Sequence, residues 1–145
     1  MSETATVISP LELEIDMPEA KRTILIIDDD QSILRVFTRV FERKGYSVVA
    51  VDTGKKALDQ IRRSRFDAAL IDVRLPDMDG TELLPEIQAT SPKTVKIVFT
   101  GSATVEFGSA EAEKSMDAFL LKPVKPEVLL NILEEKLKTK QGEKN

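Results

Sequence analysis

The sequence predicts an α/β fold in which a parallel five-stranded sheet is covered by helices on both faces. Short apolar runs, such as residues 24–27, alternate with longer segments whose apolar residues recur every three or four positions. A continuous apolar run of strand length indicates a strand that is buried on both faces, and the longer period indicates an amphipathic helix. Five alternations of the two patterns favour a three-layer sandwich of parallel strands with helical connections.

The predicted strands and helices follow one another in regular order. The strands comprise residues 24–27, 46–51, 66–73 (centred on 68–71), 95–99 and 118–121. The helices comprise residues 32–44, 54–64, 81–89, 104–114 and 127–138. Asp30 is the expected N-cap of the first helix, and Gly45 is expected to end it. Pro126 suits the first turn of the last helix.

The predicted core residues of each helix share one helical face. They are Ile33, Val36, Phe37, Val40 and Phe41 in the first helix, Ala57, Leu58 and Ile61 in the second, and Val128, Ile132, Leu133 and Leu137 in the last. The third and fourth helices are weaker, because Pro85 should strain or shorten the third and Gly108 interrupts the fourth. Phe107, beside that glycine, is assigned to the core, with an exposed contact on the signalling face as the alternative.

The composition excludes several classes of site. Of the 145 residues, 41% are hydrophobic and 32% are charged, and no apolar run approaches the ~20 residues that a membrane helix needs. The sequence contains no Cys and no His, which rules out disulfides, thiolate chemistry and a histidine base or metal ligand. Any bound metal should therefore be a hard cation held by oxygen atoms. We expect a cytoplasmic protein without a secretory signal.

Negative charge is concentrated near the N-terminus. Lys and Arg number 21 against 25 Asp and Glu, which gives a net charge of −4. The first twenty residues contain no basic residue and the acids Glu3, Glu12, Glu14, Asp16 and Glu19. The rest of the chain is nearly neutral, which does not suggest nucleic-acid binding.

Three regions are predicted along the chain: a flexible acidic extension at residues 1–21, one domain at residues 22–138 and a polar tail at residues 139–145. Within the extension, Leu11, Leu13 and Ile15 alternate with acidic residues. A short added strand or a partner-docking segment is therefore the alternative to a disordered leader.

Polar side chains follow four of the predicted strands, at the point where each strand ends. Asp28 and Asp29 follow the first strand, Asp72 ends the third, Thr100 follows the fourth and Lys122 follows the fifth. In doubly wound folds, ligands bind at the carboxyl ends of the parallel strands. We therefore expect these side chains to meet at one edge of the sheet.

Such a cluster suits phosphoryl transfer. Three crowded carboxylates repel one another, and a divalent cation removes the repulsion. Mg²⁺ favours one or two carboxylates together with water and a phosphate oxygen. Lys122 can neutralise remaining charge, Thr100 can donate a hydrogen bond to an anion, and a carboxylate can act as the nucleophile.

Four motifs in order resemble those of response regulator receiver domains. They are residues 24–30 (ILIIDDD), 70–80 (LIDVRLPDMDG), 98–101 (VFTG) and 119–123 (FLLKP), and the resemblance extends over residues 22–137. The family resemblance implies a flavodoxin-like fold with strand order 2-1-3-4-5. It also implies a stand-alone, CheY-like protein that takes part in a two-component phosphorelay.

The resemblance assigns a metal site and a phosphorylation site. Asp72 is similar to the phosphorylated aspartate of the family. Asp29 is similar to the direct Mg²⁺ ligand, with Asp28 acting through water or as a second ligand. The main-chain carbonyl of Arg74 would supply another oxygen. Mg²⁺ is the expected cofactor, with Mn²⁺ as an alternative.

The resemblance also assigns a conformational switch. Thr100 and Lys122 are similar to the residues that contact the phosphoryl group, and Phe119 occupies the position of the aromatic switch residue. The Lys122–Pro123 bond is expected to be cis. One departure is Ser115, at a position where the family usually has glycine.

Because the chain has no histidine, the phosphoryl donor is expected to be a partner, either a sensor histidine kinase or a histidine phosphotransfer protein. The protein would be a phosphoacceptor that assists its own phosphorylation and dephosphorylation, not an enzyme. The seven residues after the last predicted helix leave no room for an output domain, so output through protein contacts is expected. The face made by helix 4, strand 5 and helix 5 is a candidate homodimer interface.

The sequence argues against three alternative functions. A haloacid-dehalogenase-type phosphatase needs a second aspartate two residues after the nucleophile, where this sequence has Arg74. A dinucleotide-binding domain needs a glycine-rich turn after the first strand, where residues 28–30 are acidic. The third alternative is a receiver-like interaction module that no longer takes phosphate, against which the complete set of site residues argues.

Overall fold

The computed structural model describes residues 21–141. The predicted extension, apart from Lys21, and residues 142–145 of the predicted tail lie outside the described residues. Within residues 21–141, no helix combines the length and the apolar character that crossing a membrane requires.

Five parallel strands form one sheet in the order β2-β1-β3-β4-β5. The strands are β1 (Thr23–Ile27), β2 (Ser47–Val51), β3 (Ala68–Ile71), β4 (Val95–Thr100) and β5 (Ala118–Leu121). The helices are α1 (Gln31–Arg43), α2 (Gly54–Arg63), α3 (Leu83–Thr90), α4 (Ala110–Ser115) and α5 (Pro126–Gln141), and a 3₁₀ turn at Gly80–Glu82 precedes α3. The predicted fold class and strand order are confirmed.

The sheet separates two apolar cores. Ile24 and Ile26 of β1 face α1 and α5, whereas Leu25 and Ile27 face α2 and α3. All four side chains are fully buried. This burial on both faces explains why the central strands are continuous apolar runs without a polar alternation.

The predicted ends of α1 are confirmed. The Asp30 carboxylate accepts hydrogen bonds from the amides of Ser32 (2.9 Å) and Ile33 (3.3 Å), as an N-cap should. At the other end, Gly45 adopts a positive φ of 96°, a conformation that costs little without a Cβ.

The predicted apolar faces of α1 and α5 were each wrong at one residue. Val36 and Val128 are both 48% exposed, while Leu34, Leu129 and Leu130 are buried. In each helix a leucine two positions away from the valine turns toward the sheet, which places the valine on the solvent side.

Helix α4 is much shorter than the predicted helix at residues 104–114. It begins only at Ala110, where the Ser109 hydroxyl accepts a hydrogen bond from the Ala112 amide at 3.0 Å. Gly108 and the scarcity of large apolar residues explain why the preceding segment does not continue the helix. Phe107 packs, partly buried, against the core on the α2 and α3 side, as predicted.

Pro85 shortens the third helix without breaking it. It is the third residue of α3, within the first turn, where an amide has no partner inside the helix. The residues before α3 form the 3₁₀ turn instead of extending the α-helix.

Helix α5 continues to Gln141, three residues past its predicted end. Lys140 Nζ donates to Asp117 Oδ2 at 2.8 Å and to the Thr94 carbonyl at 3.1 Å. Gln141 Nε2 donates to the carbonyls of Asp67 (3.0 Å) and Lys93. These bonds to the amino-terminal end of the sheet hold the last turn, which local propensity alone did not predict.

A lysine is fully buried at the same end of the sheet. Lys96 of β4 donates from Nζ to the Thr94 carbonyl at 3.1 Å. Burial, followed by the nearby ammonium of Lys140, lowers the pKa of Lys96 from 10.5 to about 8. Below pH 8 the folded and unfolded chains both carry this charge, and the folded chain bears the cost of burying it.

We predict that Lys96→Met raises the free energy of unfolding at pH 7 by roughly 2 kcal/mol, because an isosteric apolar side chain removes a buried charge. The Thr94 carbonyl keeps its bond from Lys140. Between pH 8 and 10.5 the unfolded wild-type chain binds more protons at Lys96 than the folded chain does. The free energy of unfolding of the wild type should therefore rise with pH in this range. The stability difference between Lys96→Met and the wild type should shrink accordingly. Urea unfolding at several pH values measures this. Exposed Lys138→Met is the control, and a less stable Lys96→Met at pH 7 would contradict the prediction.

Candidate functional site

The predicted strand-end residues lie side by side because the parallel ladders continue one residue past the strands. The Asp28 amide donates to the Val51 carbonyl at 3.1 Å, and the Asp72 amide donates to the Ile27 carbonyl at 2.9 Å. These bonds bring the carboxyl end of β1 level with the end of β3. Main-chain pairing, fixed by the sheet, therefore sets the spacing of the acidic side chains.

Three carboxylates form a compact cluster at this edge. One carboxylate oxygen from each of Asp28, Asp29 and Asp72 lies within 4.8 Å of the other two. Asp28 is fully buried and Asp72 is 5% exposed, whereas Asp29 is exposed to solvent. Oxygen ligands of this kind and spacing fit a hard divalent cation, which could reach the cluster from the side of Asp29.

Lys122 lies between the two buried carboxylates. Its Nζ is 2.7 Å from Asp28 Oδ2 and 3.4 Å from Asp72 Oδ2. The same ammonium lies 4.9 Å from the centroid of the Phe99 ring, a favourable cation–π distance. The sequence predicted Lys122 beside Asp72, but it did not predict that Asp28 would be the nearer partner.

Asp28 is held by two contacts at once. Oδ2 accepts from Lys122, and Oδ1 accepts from the Asp30 amide at 2.9 Å.

The environment raises the pKa of Asp72 to about 6. Burial is the largest cause, and the negative charge of Asp28 adds to it, while Lys122 acts in the opposite direction. The folded protein therefore bears an electrostatic cost for a charged Asp72, which a bound cation would offset.

Thr100 and Arg74 line the same cleft as Asp29, Asp72 and Lys122. Thr100 is 1% exposed, and its Oγ1 accepts from the Ser102 amide at 3.3 Å. Its carbonyl accepts from the Lys122 amide at 2.8 Å, which joins β4 to the start of the segment after β5. The predicted ligand role of the Arg74 carbonyl stays a prediction.

Phe119 lies on β5 and pairs with Val98 of β4 in the sheet register. Its half-buried ring packs against the core on the α2 and α3 side, which Met116 and Phe107 also border. The Lys122–Pro123 bond is cis, as expected. The ring is only partly buried, and the switch role of Phe119 stays a prediction.

The segment that follows Asp72 folds tightly back onto it. A Cβ on Gly80 would collide with the Asp72 carbonyl oxygen, and the Gly80 amide donates to the Val73 carbonyl at 2.7 Å. The Asp77 carboxylate accepts from the amides of Gly54 (2.8 Å) and Lys55 (2.9 Å) at the start of α2.

The roles of Gly80 and Asp77 were missed by sequence reasoning. Both residues belong to the motif at residues 70–80. The partners of Asp77 are the amides of Gly54 and Lys55, which lie far away in the sequence. The partners of Gly80 are main-chain atoms, which a pattern of side chains does not reveal. The glycine itself was the available signal, because a backbone position that approaches another main-chain segment this closely leaves no room for a side chain.

Comparisons with known proteins give a consistent result. A family model described as response regulator receiver domain matches residues 24–134. The transcriptional regulatory protein GlrR of Escherichia coli (strain K12) is 30% identical over 114 residues, which cover 79% of this chain and 26% of that protein. The chain thus spans about a quarter of the length of this relative.

Solved structures agree in fold. A CheY-like response regulator receiver domain protein from Methanospirillum hungatei JF-1 has a TM-score of 0.74 and 37% identity, covering 84% of this chain and 98% of that one. A response regulator protein from Burkholderia pseudomallei, whose crystal structure contains a phosphorylated aspartic acid, a calcium ion and citrate, has a TM-score of 0.71 and 26% identity. It covers 83% of this chain and 71% of that one.

We predict that Mg²⁺ stabilises the folded protein through the carboxylate cluster. The gain in free energy of unfolding should be about 1 to 2 kcal/mol when the free ion exceeds its Kd about tenfold. Asp29→Asn should raise the stability without metal, because it relieves repulsion, and should remove most of the Mg²⁺-dependent gain. Thermal unfolding with MgCl₂ or with NaCl of equal ionic strength measures both effects. Asp59→Asn, an equivalent change on the exposed side of α2, is the control. Equal Mg²⁺-dependent gains in wild type and Asp29→Asn would count against this site.

Proposed function

Since this chain belongs to the response regulator receiver domain family, we propose that it accepts a phosphoryl group from a partner phosphohistidine onto Asp72 and signals by a change of shape. The observation that carries the proposal is the placement of Asp72. Its nearly buried carboxylate opens into a cleft that Asp29, Thr100 and Lys122 also line, with the lysine ammonium 3.4 Å from Oδ2. The phosphorylated aspartic acid in the Burkholderia pseudomallei protein supports the same chemistry.

The proposed step is a displacement at phosphorus. An Asp72 carboxylate oxygen forms the new P–O bond while the P–N bond to the partner's imidazole breaks, and the imidazole nitrogen keeps the electron pair. The side chain changes from a carboxylate of charge −1 to an acyl phosphate of charge about −2 at neutral pH. Lys122 is placed to compensate that added charge by moving from Asp28 toward the phosphoryl oxygens.

The acidic cluster fits the cation that this chemistry requires. We assign Asp28, Asp29, Asp72 and the Arg74 main-chain carbonyl as the groups that would hold Mg²⁺, with Mn²⁺ as an alternative. When bound, the ion would supply positive charge to the transferring oxygens. Exposed Asp29 and the open cleft give the ion a route from solvent.

The proposed signal passes from Thr100 to Phe119. A phosphoryl group on Asp72 offers the Thr100 hydroxyl a strong acceptor, and movement of that side chain frees space toward β5. The half-buried Phe119 ring can then turn further inward, driven by apolar burial. Differential binding of the phosphoryl group to the two conformations would shift their populations.

The proposal also covers the phosphoryl donor and the cellular location of the protein. The donor is a sensor histidine kinase or histidine phosphotransfer protein, and the protein works in the cytoplasm without binding nucleic acid. We regard it as a phosphoacceptor that assists its own phosphorylation and dephosphorylation, not as an enzyme with a separate substrate. Its stand-alone character and a homodimer through α4, β5 and α5 stay predictions.

The rival function is an interaction module that keeps the fold but no longer takes phosphate. Both functions would preserve the sheet and the cores. Only the phosphoacceptor needs a reactive carboxylate together with a cation and an ammonium, so labelling separates them.

We predict that a small phosphodonor such as acetyl phosphate adds one phosphoryl group, about 80 Da, to the wild-type protein only when Mg²⁺ is present. Asp72→Asn should abolish the addition, because an amide oxygen is a poor nucleophile, while Asp59→Asn should be labelled like wild type. Intact-mass spectrometry measures the product, and treatment with hydroxylamine should remove it from an acyl phosphate. An unlabelled wild-type protein in Mg²⁺ would favour the interaction module.

We predict that Thr100→Ala separates phosphorylation from the conformational change. Beryllofluoride, which mimics the phosphoryl group on an aspartate, should shift the NMR signals of the Phe119 ring in wild type and leave them nearly unchanged in Thr100→Ala. Signals of residues next to Asp72 should shift in both proteins and thus report binding. Equal ring shifts in the two proteins would show that Thr100 does not transmit the signal.

A further inference from the structure

Strand β2 forms one edge of the sheet, and its outer main-chain groups have no strand beside them among residues 21–141. The Ser47 amide donates to the Arg22 carbonyl, and the Val51 carbonyl accepts from the Asp28 amide, so alternate residues of β2 bond inward to β1. The amides and carbonyls of Val48 and Ala50 consequently point outward. An open edge of this kind is a template for another strand.

A row of arginines borders this edge. Arg35, Arg39 and Arg43 repeat every fourth residue on the face of α1 that lines a groove with Ala50 of β2, and the single acid in that lining, Glu42, leaves the groove with a net positive charge. Within the described part of the chain, none of the three forms a salt bridge. We refer to these three residues as the arginine row. Like charges spaced four residues apart on a helix repel one another, so the row favours a negatively charged neighbour.

A second observation points to a missing partner in the same groove. The Thr38 hydroxyl lines it, and its oxygen is buried without any hydrogen-bond partner among the residues that the structure describes. An unpartnered buried hydroxyl costs free energy, which a carboxylate or main-chain acceptor in the groove would recover.

The opposite face of the β2 edge is apolar. Val49 and Leu58 are only partly buried, and both pack against the core on the α2 side. A strand added beside β2 would therefore meet positive charge on its α1 face and apolar side chains on its α2 face. That environment suits a strand in which acidic and apolar residues alternate.

We propose that residues 11–16 of this chain, Leu-Glu-Leu-Glu-Ile-Asp, pair with the outer edge of β2 as an antiparallel sixth strand. Its three acids would face the arginine row, and its three apolar residues would cover Val49 and Leu58. In a strand, successive side chains point to opposite faces, so one register satisfies both demands. This proposal does not depend on phosphorylation of Asp72.

The connection to the domain has the required length and direction. The Arg22 carbonyl already accepts from the Ser47 amide at 2.9 Å, so the chain that precedes β1 approaches β2 at its first residue. Residues 17–22 can span ~20 Å when extended, whereas a strand on the outer side of β2 would lie two strand spacings, or ~10 Å, from β1. A chain that runs down beside β2 and then up through β1 gives an antiparallel pair, as at the edge of many doubly wound sheets.

A segment of the same chain is favoured over a separate acidic partner. A short covalent connection keeps residues 11–16 at an effective concentration in the millimolar range beside the edge. Covering the edge within the chain would also prevent edge-to-edge association of two molecules.

Amide hydrogen exchange on the full chain tests the proposal. In wild type, the outward amides of Val48 and Ala50 should exchange slowly. In Glu12→Lys/Glu14→Lys they should exchange about tenfold faster, whereas the inward Val49 amide should not change. Unchanged exchange at Val49 shows that the domain is still folded. Glu3→Lys/Glu19→Lys carries the same charge change outside the proposed strand and should behave like wild type.

Reversing the charges on both sides of the proposed contact provides a second test. Arg35→Glu/Arg39→Glu should also speed up hydrogen exchange at the Val48 and Ala50 amides. Combining this variant with Glu12→Lys/Glu14→Lys should restore most of the protection, because opposite charges would again face each other. Fast exchange of both outward amides in wild type would overturn the proposal, as would equal rates in all variants. Protection that increases with protein concentration would also overturn it, because the edge would then be covered by a second copy.

Discussion

The contact between the Lys122 ammonium and the two buried carboxylates is the interaction on which the site depends. Asp28 and Asp72 are both withdrawn from water, and their mutual repulsion contributes to the raised pKa of Asp72. A single lysine cannot neutralise them together with Asp29. The site therefore remains short of positive charge, which is the electrostatic condition for binding a divalent cation and, with it, an anion.

The rest of the fold keeps that cluster from relaxing. Parallel pairing fixes the main chain at Asp28 and Asp72, so the Cα atoms that carry the two carboxylates cannot separate without breaking ladder hydrogen bonds. The segment after Asp72 packs against the Asp72 carbonyl at Gly80, and its Asp77 carboxylate is hydrogen-bonded to the first residue of α2. With the main chain held in this way, a bound ligand or a movement of the Lys122 side chain can relieve the charge without rearranging the fold.

The strands and the gathering of the site residues were predictable because both follow from short-range patterns. Apolar runs define buried strands, and parallel topology then places their polar successors at one edge. The partner of Lys122 was not predictable to the same degree, since Asp28 and Asp72 are both within reach of a flexible side chain. The late start of α4 follows the interruption that Gly108 indicates in the sequence. The exposure of Val36, in contrast, depended on packing between elements, which a helical period does not specify. The last turn of α5 likewise depended on contacts with Asp117 and Asp67, far away in the sequence.

Buried charge occurs at both ends of the sheet, but only one end is suited to switching. At the amino end, Lys96 is fully buried, and Lys140 and Asp117 form a salt bridge beside it, which leaves that ammonium no access to a soluble ion. At the carboxyl end, Asp29 is exposed and the cleft is open, so cations and anions can exchange with solvent. The electrostatic cost at Lys96 is therefore constant under neutral conditions, whereas the cost at Asp72 varies with what is bound. A conformational equilibrium can be shifted only by the second kind of cost, because a shift requires a ligand that distinguishes the two states.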